Sequence, residues 1–467
     1  KRRLFETILH ITLFYLTLYD VYLLPSAELF TILFAFIIFC HVSERLRWQM
    51  APLFIGYILY WFQYNILSSI FGMASMILCY ILPLPKALSP YKGAFEVGYF
   101  NYEYYGEKKD NNKKQGCDIA MGRLFYPTLQ RRRYNFFIWP SSQAYFFHAD
   151  TNLLRALLNT FAENISILSK IPFLLDYWAL ITVPITRFAV PIFSTSATLN
   201  SALPVVIFSH GLSASREIST SLCMELASMG FYVFAVEHTD GSCALARFQD
   251  GTVIEYDFSK GGNINARKSQ TGIRIQNMKR HLELIDKLNS GYFVKADSYN
   301  FSQVKIDKAS AQMQENLLLK LRNNFDLKKL IFAGHSFGGV TAFSTALEME
   351  VGSNYDNNDD EGVMKTFTPA AVVLLDPANL WMPDYLANKM DTDNNNANNK
   401  NKKKLLKNTP VLSIFSSVWY KNNTDDNYQK MIKFSCGKYG NNTNSCVLAN
   451  ALGITATEVL AGPNGAA

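Results

Sequence analysis

The sequence has few cysteines, and they form no pattern that would organise a fold. Seven cysteines occur in 467 residues, and no spacing between them repeats. A disulfide-rich framework and a zinc-binding cysteine pattern are therefore excluded, although Cys436 and Cys446 are near enough in sequence to form one bridge. No metal site and no cofactor is predicted. The net charge of +7 is modest and scattered, so no nucleic-acid partner is predicted either.

Charged residues are missing from one long segment. None occurs from Ala51 to Pro85, and the sequence from Thr7 onward is dense in Leu, Ile, Phe and Tyr. Because a helix needs about 20 apolar residues to cross a bilayer, residues 1–85 are expected to form a transmembrane region of three or four helices. The expected spans lie near Leu4 to Leu24, near Leu29 to Val42, and once or twice within Ala51 to Leu84, where a split near Asn65 to Ser69 would give two short helices.

This segment predicts a multi-pass membrane protein with the lipid bilayer as a partner. The alternatives are a buried helical domain or, for the first span alone, a signal peptide. Four spans would place the rest of the chain in the cytoplasm, and three would place it in a lumen or outside the cell.

From residue 86 onward the sequence is typical of an α/β domain. The alternating stretches "FEVGYFNYEY" and "IAMGRLFYPT" predict antiparallel strands. Apolar runs such as "LPVVIFSHG" and "FYVFAVEH" are separated by stretches of helical spacing, which predicts a mostly parallel sheet with helices on both faces. Residues 131–200 are expected to hold a helical cap, and the polar inserts 354–362 and 391–404 are expected to be solvated loops.

One motif predicts a nucleophile. Gly334-His335-Ser336-Phe337-Gly338 fits G-x-S-x-G, with a strand pattern before it and a helix pattern after it. The sharp turn lifts the Ser336 hydroxyl above the sheet edge, where the amides at the start of the helix favour negative charge. His335 directly precedes the serine and is expected to be structural.

Two further segments complete the predicted site. Asp376 follows the apolar run "AAVVLL" and is predicted to orient an imidazole, although it could merely cap the turn with Pro377. The "FSHGLSAS" turn is expected to direct a backbone amide into the site, so Leu212 and Phe337 are predicted to form an oxyanion hole. His210 is expected to hold this turn. Polar residues after the next strand, Glu237, His238 and Asp240, are expected to support the cleft.

What the sequence lacks is a histidine after the motif. Its seven histidines end at His335, whereas α/β-hydrolases place serine, acid and histidine in that order. One interpretation is that the domain, residues 86–467, lacks its C-terminal end, with the histidine beyond Ala467. The other is an inactive protein, since removing a triad residue typically costs about a millionfold in turnover.

The chain resembles a specific family in the segments "FSHGLSAS", "GHSFGG" and "LLDPANLWMP". These segments are similar to those of the plasma-type platelet-activating factor acetylhydrolases, the group VII phospholipases A2, over about Pro83 to Phe415. The resemblance implies the α/β-hydrolase fold and calcium-independent removal of short or oxidised sn-2 acyl groups from phospholipids through an acyl-enzyme. It implies Ser336 as nucleophile, Asp376 as acid, and Leu212 with Phe337 as oxyanion amides.

Three functions therefore stay open at this point. The first is a membrane-anchored esterase of 1-alkyl-2-acetylglycerophosphocholine. The second is a carboxylic-ester hydrolase of the same fold that acts on other esters. The third is a catalytically dead lipid-binding protein, since "TPVLSIFSS" is followed by no histidine where the family has one.

Overall fold

The computed structural model describes only part of the chain. The described residues are 10–11, 51–62, 64–81, 91–106, 119–129, 143–145, 151–161, 182–192, 202–294, 303–352, 367–388, 406, 409–414 and 446–447. The chain divides into two compact units. One comprises Lys1–Ala87, Tyr134–Leu154 and Ile167–Thr182, and the other comprises Leu88–Arg133, Arg155–Ser166 and Val183–Ala467.

The helices and strands include those of the predicted alternation and several more. The helices are α1 (Ala51–Trp61), α2 (Asn65–Ile81), α3 (Thr151–Phe161), α4 (Thr220–Ser228), α5 (Ile264–Ser290), α6 (Ala311–Leu321) and α7 (Phe337–Gly352). The strands are β1 (Glu96–Tyr105), β2 (Ile119–Thr128), β3 (Gln143–Tyr145), β4 (Thr182–Arg187), β5 (Leu203–Ser209), β6 (Tyr232–Glu237), β7 (Leu245–Arg247), β8 (Val253–Glu255), β9 (Val304–Ile306), β10 (Phe325–His335), β11 (Ala371–Leu375), β12 (Val411–Ile414) and β13 (Cys446–Val447).

The prediction of a multi-pass membrane location is wrong. Along the part of the chain that the structure describes, no helix combines the length and apolar character that a membrane crossing needs. The charge-free segment turns between Trp61 and Asn65, so α1 has 11 residues and α2 has 17. At 1.5 Å per residue these helices are about 17 and 26 Å long, short of a hydrocarbon core of about 30 Å. The split allowed near Asn65 to Ser69 is therefore close to the observed break, but taking the resulting short helices as membrane spans was the error.

Several sequence predictions lie outside the described residues. They are the span near Leu4 to Leu24 apart from residues 10–11, the span near Leu29 to Val42, the inserts 354–362 and 391–404, and Cys436 of the suggested bridge. Within residues 131–200, where a helical cap was expected, the described elements are one helix, α3, and two strands, β3 and β4.

The second unit is built on one large sheet. Its strand order is β13-β12-β11-β10-β5-β6-β2-β1-β4, with β9 also paired to β1. The pairs from β13 to β6 are parallel, whereas β2 pairs antiparallel with both β1 and β6. The prediction of a mostly parallel sheet with two early antiparallel strands is confirmed, and the arrangement is the α/β-hydrolase-like fold.

The strand sequences explain this arrangement. Strand β6 reads YVFAVE and is buried at every residue, and β5 reads LPVVIFS and is buried over its last five. Runs that are apolar on both faces fit a sheet covered on both sides by helices. Because β5, β6, β10, β11 and β12 are parallel, their carboxyl ends lie at one edge, which is where open α/β sheets place their ligand sites.

Helix α5 carries a buried histidine that should make stability depend on pH. His281 is fully buried, its Nδ1 lies 2.7 Å from the carbonyl oxygen of Asn277, and burial lowers its pKa from 6.5 to about 4. Between these values the unfolded chain binds a proton that the folded chain does not, so stability falls as pH drops through this window. We expect His281→Gln to flatten the dependence of unfolding free energy on pH between 6.5 and 5, by up to about 1.4 kcal/mol per unit. Equal slopes in urea titrations of the two proteins would contradict this assignment.

Candidate active site

The serine of the G-x-S-x-G motif lies on a strained turn. Ser336 joins β10 directly to α7 and has a φ of 52°, in the left-handed region that residues with a side chain rarely adopt. Its amide donates to the carbonyl oxygen of Leu375 at 2.8 Å, and its own carbonyl accepts from the amide of Ala378 at 3.0 Å. Strain of about 1–3 kcal/mol persists only where neighbouring structure enforces it. These bonds enforce it here.

The outer glycines of the motif are required by close backbone contacts. A Cβ on Gly338 would lie 1.9 Å from the carbonyl oxygen of Ser209, and a Cβ on Gly334 would lie 2.1 Å from the carbonyl oxygen of Gly338. Neither contact leaves room for a methyl group. The turn can therefore be this tight only with glycine at both positions.

Asp376 lies beside the serine at the same sheet edge. Strand β11 ends at Leu375, which pairs in register with His335, so Asp376 and Ser336 follow adjacent strand ends. Asp376 also has a positive φ of 44°, and its amide donates to the carbonyl oxygen of Ile414 at 2.9 Å. The structure thus brings the predicted acid next to the predicted nucleophile.

The loop after β5 lies against the serine. A Cβ on Gly211 would lie 3.4 Å from the Cβ of Ser336, so the Gly211 backbone passes beside the serine side chain. The next amide belongs to Leu212, and the amide after the serine belongs to Phe337. Within the described residues neither amide donates to another protein atom. Two unused donors beside a serine are what an oxyanion hole needs.

The histidine at this turn makes one hydrogen bond to the backbone and one close contact with a carboxylate. His210 is buried, its Nδ1 lies 2.8 Å from the carbonyl oxygen of Gly211, and its Nε2 lies 3.0 Å from Oε1 of Glu237. A carbonyl can only accept, so Nδ1 carries the hydrogen of that bond. Glu237 also accepts from the backbone amide of Arg216 at 3.3 Å. His210 therefore braces the turn.

His238 supports the end of the same strand. Its Nε2 lies 2.7 Å from Oγ of Ser209, and its Nδ1 lies 3.2 Å from Oδ1 of Asn277. Burial, and after it the nearby positive charge of Arg274, holds the pKa of His238 well below 6.5. The ring is therefore neutral at physiological pH, and it is buried below the surface of the site.

Among the described histidines, none forms a hydrogen bond with Oγ of Ser336. His335 retains an exposed face. The protein atoms around the rest of the ring exclude water, and this desolvation lowers the pKa of His335 below 6.5. The negative charge of Asp376 acts in the other direction and raises that pKa. It precedes the serine on the strand, and a Cβ on Gly211 would lie 3.2 Å from its Nδ1. The described residues thus bring together the predicted nucleophile, the predicted acid and the two predicted oxyanion amides, and none of the described histidines is hydrogen-bonded to the serine hydroxyl.

The same region shows no metal-binding arrangement. Over the described ranges, no group of three or more His, Cys, Asp or Glu side chains is placed to hold an ion.

Sequence reasoning missed one buried residue beside this site. Arg274 lies on α5, is fully buried, and contacts both the turn after β5 and the ring of Phe337. The available signal was Asp240 in the "VEHTDGS" segment, because an acid expected to lie near a cleft needs a buried cation as partner. Helix α5 itself was not predicted, because its inner face mixes polar and apolar residues.

Comparisons with known proteins match the same region. The sequence profile of a family described as "Platelet-activating factor acetylhydrolase, isoform II" matches residues 84–356. A platelet-activating factor acetylhydrolase of Cavia porcellus is 35% identical over 153 residues, 31% of this chain and 32% of that protein. A putative phospholipase A2 of Schizosaccharomyces pombe is 31% identical over 161 residues, 30% of this chain and 34% of that protein. Each alignment spans about a third of the relative's length.

Solved structures show a more distant likeness. A ferulic acid esterase from Streptomyces cinnamoneus has 17% sequence identity and a TM-score of 0.43, with 74% of this chain and 72% of that chain covered. A dienelactone hydrolase-like phosphotriesterase has 8% identity and a TM-score of 0.32, with 72% and 76% covered.

Proposed function

We propose that this chain, which belongs to the platelet-activating factor acetylhydrolase, isoform II, family, is a serine esterase. Its proposed reaction is the removal of short or oxidised sn-2 acyl groups from phospholipids. The main support is the placement of Ser336. Its strained turn at the carboxyl edge of the sheet lies beside two backbone amides that have no other acceptor among the described residues.

The proposed chemistry proceeds in two steps. Oγ of Ser336 attacks the sn-2 carbonyl carbon while its proton passes to a base, and the carbonyl oxygen becomes an oxyanion bound by the amides of Leu212 and Phe337. The ester C–O bond then breaks, and the lysophospholipid leaves with the proton while the acyl group stays on the serine. Water attacks this acyl-enzyme, releases the carboxylic acid and restores the hydroxyl.

Asp376 has a supporting role in this scheme. A carboxylate at the end of β11, beside the serine, would orient an imidazole and stabilise it once protonated. No described histidine occupies that place, so the experiments below add free imidazole to serve as the base.

The substrate class is tested by comparing two acetyl esters. We expect the protein with imidazole to release acetate from an sn-2 acetyl phospholipid, and acid quenching to trap acetyl on the peptide that contains Ser336. A soluble acetyl ester of similar reactivity is the reference, and Ser336→Ala measures hydrolysis by imidazole alone.

The outcomes separate the possible functions. Serine-dependent hydrolysis of the soluble ester alone would overturn the phospholipid assignment and favour a general ester hydrolase. Hydrolysis of neither ester above the Ser336→Ala background would overturn the esterase proposal and favour a lipid-binding protein.

A further inference from the structure

We propose that Arg274 is a positioning residue that orients both amides of the oxyanion hole. The inference deepens the proposed function and rests on it, because an oxyanion hole has a role only if Ser336 is acylated. Arg274 touches no reacting atom in this proposal, and acts through the backbone units that it binds.

The first contact is with the turn after β5. Nη1 of Arg274 donates to the carbonyl oxygen of His210 at 2.8 Å, and Nη2 lies 3.5 Å from the carbonyl oxygen of Gly211. The guanidinium thus engages two successive peptide groups. A planar fork of donors can hold two acceptors in a fixed relation, which a single ammonium cannot do.

These bonds determine where the amide of Leu212 points. The carbonyl of Gly211 and the amide of Leu212 belong to one planar trans peptide, so the N–H points opposite to the C=O. Arg274 and Nδ1 of His210 both engage that carbonyl oxygen. Holding the oxygen toward the protein interior directs the Leu212 hydrogen the other way, and donors to the carbonyl also polarise the N–H.

The second contact is with the other donor residue. The guanidinium carbon of Arg274 lies 4.0 Å from the centre of the Phe337 ring, which is fully buried and also meets the Trp381 ring edge-on at 4.8 Å. A cation over an aromatic face is attracted to it, more strongly where water is excluded. The ring is thereby fixed from two sides, and with it the residue whose amide follows Ser336.

The charge of Arg274 is balanced by a buried carboxylate. Nε lies 3.3 Å from Oδ2 of Asp240 and 2.9 Å from Oγ of Ser242, and Nη2 lies 2.6 Å from the same hydroxyl. The carbonyl oxygen of Ser242 accepts from the amide of Ser213 at 2.8 Å. Arg274 therefore links the oxyanion turn to the Asp240–Ser242 turn as one buried unit.

The test measures hydrolysis and hydrogen exchange in two variants. In the imidazole-supplemented assay we expect Arg274→Gln to lower kcat roughly 100-fold with little change in KM, because an oxyanion donor acts mainly in the transition state. Arg274→Lys keeps the charge but loses the fork, so we expect it to recover only part of the lost rate. In both variants, amide exchange within residues 210–215 should rise by roughly tenfold or more.

Arg123→Gln is the matched control. Arg123 is equally buried, on β2, and its guanidinium binds Asn101 at 3.0 Å and Glu217 at 3.2 Å. Its removal should lower stability as the loss of any buried paired arginine does. Below the unfolding transition it should leave kcat and exchange within residues 210–215 unchanged.

The possible failures are distinguishable. If Ser336→Ala abolishes hydrolysis but Arg274→Gln retains wild-type kcat, the positioning role is overturned and the proposed function stands. A rise in KM with unchanged kcat would also overturn it. If Ser336→Ala has no effect on hydrolysis, the proposed function fails. Amide hydrogen exchange within residues 210–215 then becomes the one readout that tests whether Arg274 orders the turn.

Discussion

Replacing Ser336 with alanine is expected to abolish ester hydrolysis by this protein. The substitution removes the only atom proposed to form the acyl-enzyme, and loss of a triad serine costs about a millionfold in kcat where a histidine serves it. With free imidazole as the base, the whole protein-dependent rate should disappear. The measurement is release of acetate from an sn-2 acetyl phospholipid, with and without imidazole.

Ser344→Ala is the matched control for this prediction. Ser344 lies on α7, the helix that begins directly after Ser336, and is fully buried. Its hydroxyl has no hydrogen-bond partner among the described residues. Removing it should leave both stability and hydrolysis nearly unchanged. If Ser336→Ala and Ser344→Ala hydrolyse the phospholipid equally well, Ser336 is not the nucleophile.

The second large effect is expected at Gly338. Its alanine variant would place a methyl group 1.9 Å from the carbonyl oxygen of Ser209 and 2.7 Å from that of His210. Both atoms are backbone, so the turn after β5 or the start of α7 must move. Overpacking of this kind costs about 3 kcal/mol, and it displaces the turn that carries the amide of Leu212. We expect Gly338→Ala to lower the free energy of unfolding by that amount and to lose hydrolysis.

Gly272→Ala separates this effect from the general cost of changing a glycine. Gly272 lies on α5, and a Cβ there meets no atom within 4 Å. Alanine in a helix interior is favoured over glycine by about 1 kcal/mol, so this variant should be more stable than the wild type in urea unfolding. A Gly338→Ala protein that is as stable and as active as Gly272→Ala would contradict the close contact at the motif.

The sequence was informative wherever one local pattern determined one element. The apolar runs that became β5 and β6 are buried in a parallel sheet, and this burial on both faces is what removes polar residues from them. The run that became β11 buries alternate residues and leaves the others half-buried. Ser336 was predicted from the G-x-S-x-G motif between a strand and a helix, and Asp376 from its place after an apolar run; adjacent parallel strands bring the two together.

Two features were not predicted, the first because it depends on distant contacts and the second because local helix length was misjudged. Arg274 contacts residues 64 positions earlier and 63 positions later, at His210 and Phe337, and nothing in the sequence of α5 indicates either partner. The charge-free segment was misinterpreted for a local reason. Its composition was read as membrane helices, but the turn between Trp61 and Asn65 limits α1 and α2 to lengths too short for a crossing.

The measurement that tests the central claim most directly is covalent labelling by a fluorophosphonate, which modifies serines that are activated as nucleophiles. The protein is incubated with the probe and imidazole, digested, and analysed by mass spectrometry. The account predicts one phosphonylated peptide, with the adduct on Ser336, and none in Ser336→Ala. Wild-type protein that stays unmodified, or a Ser336→Ala protein labelled to the same extent, would contradict it.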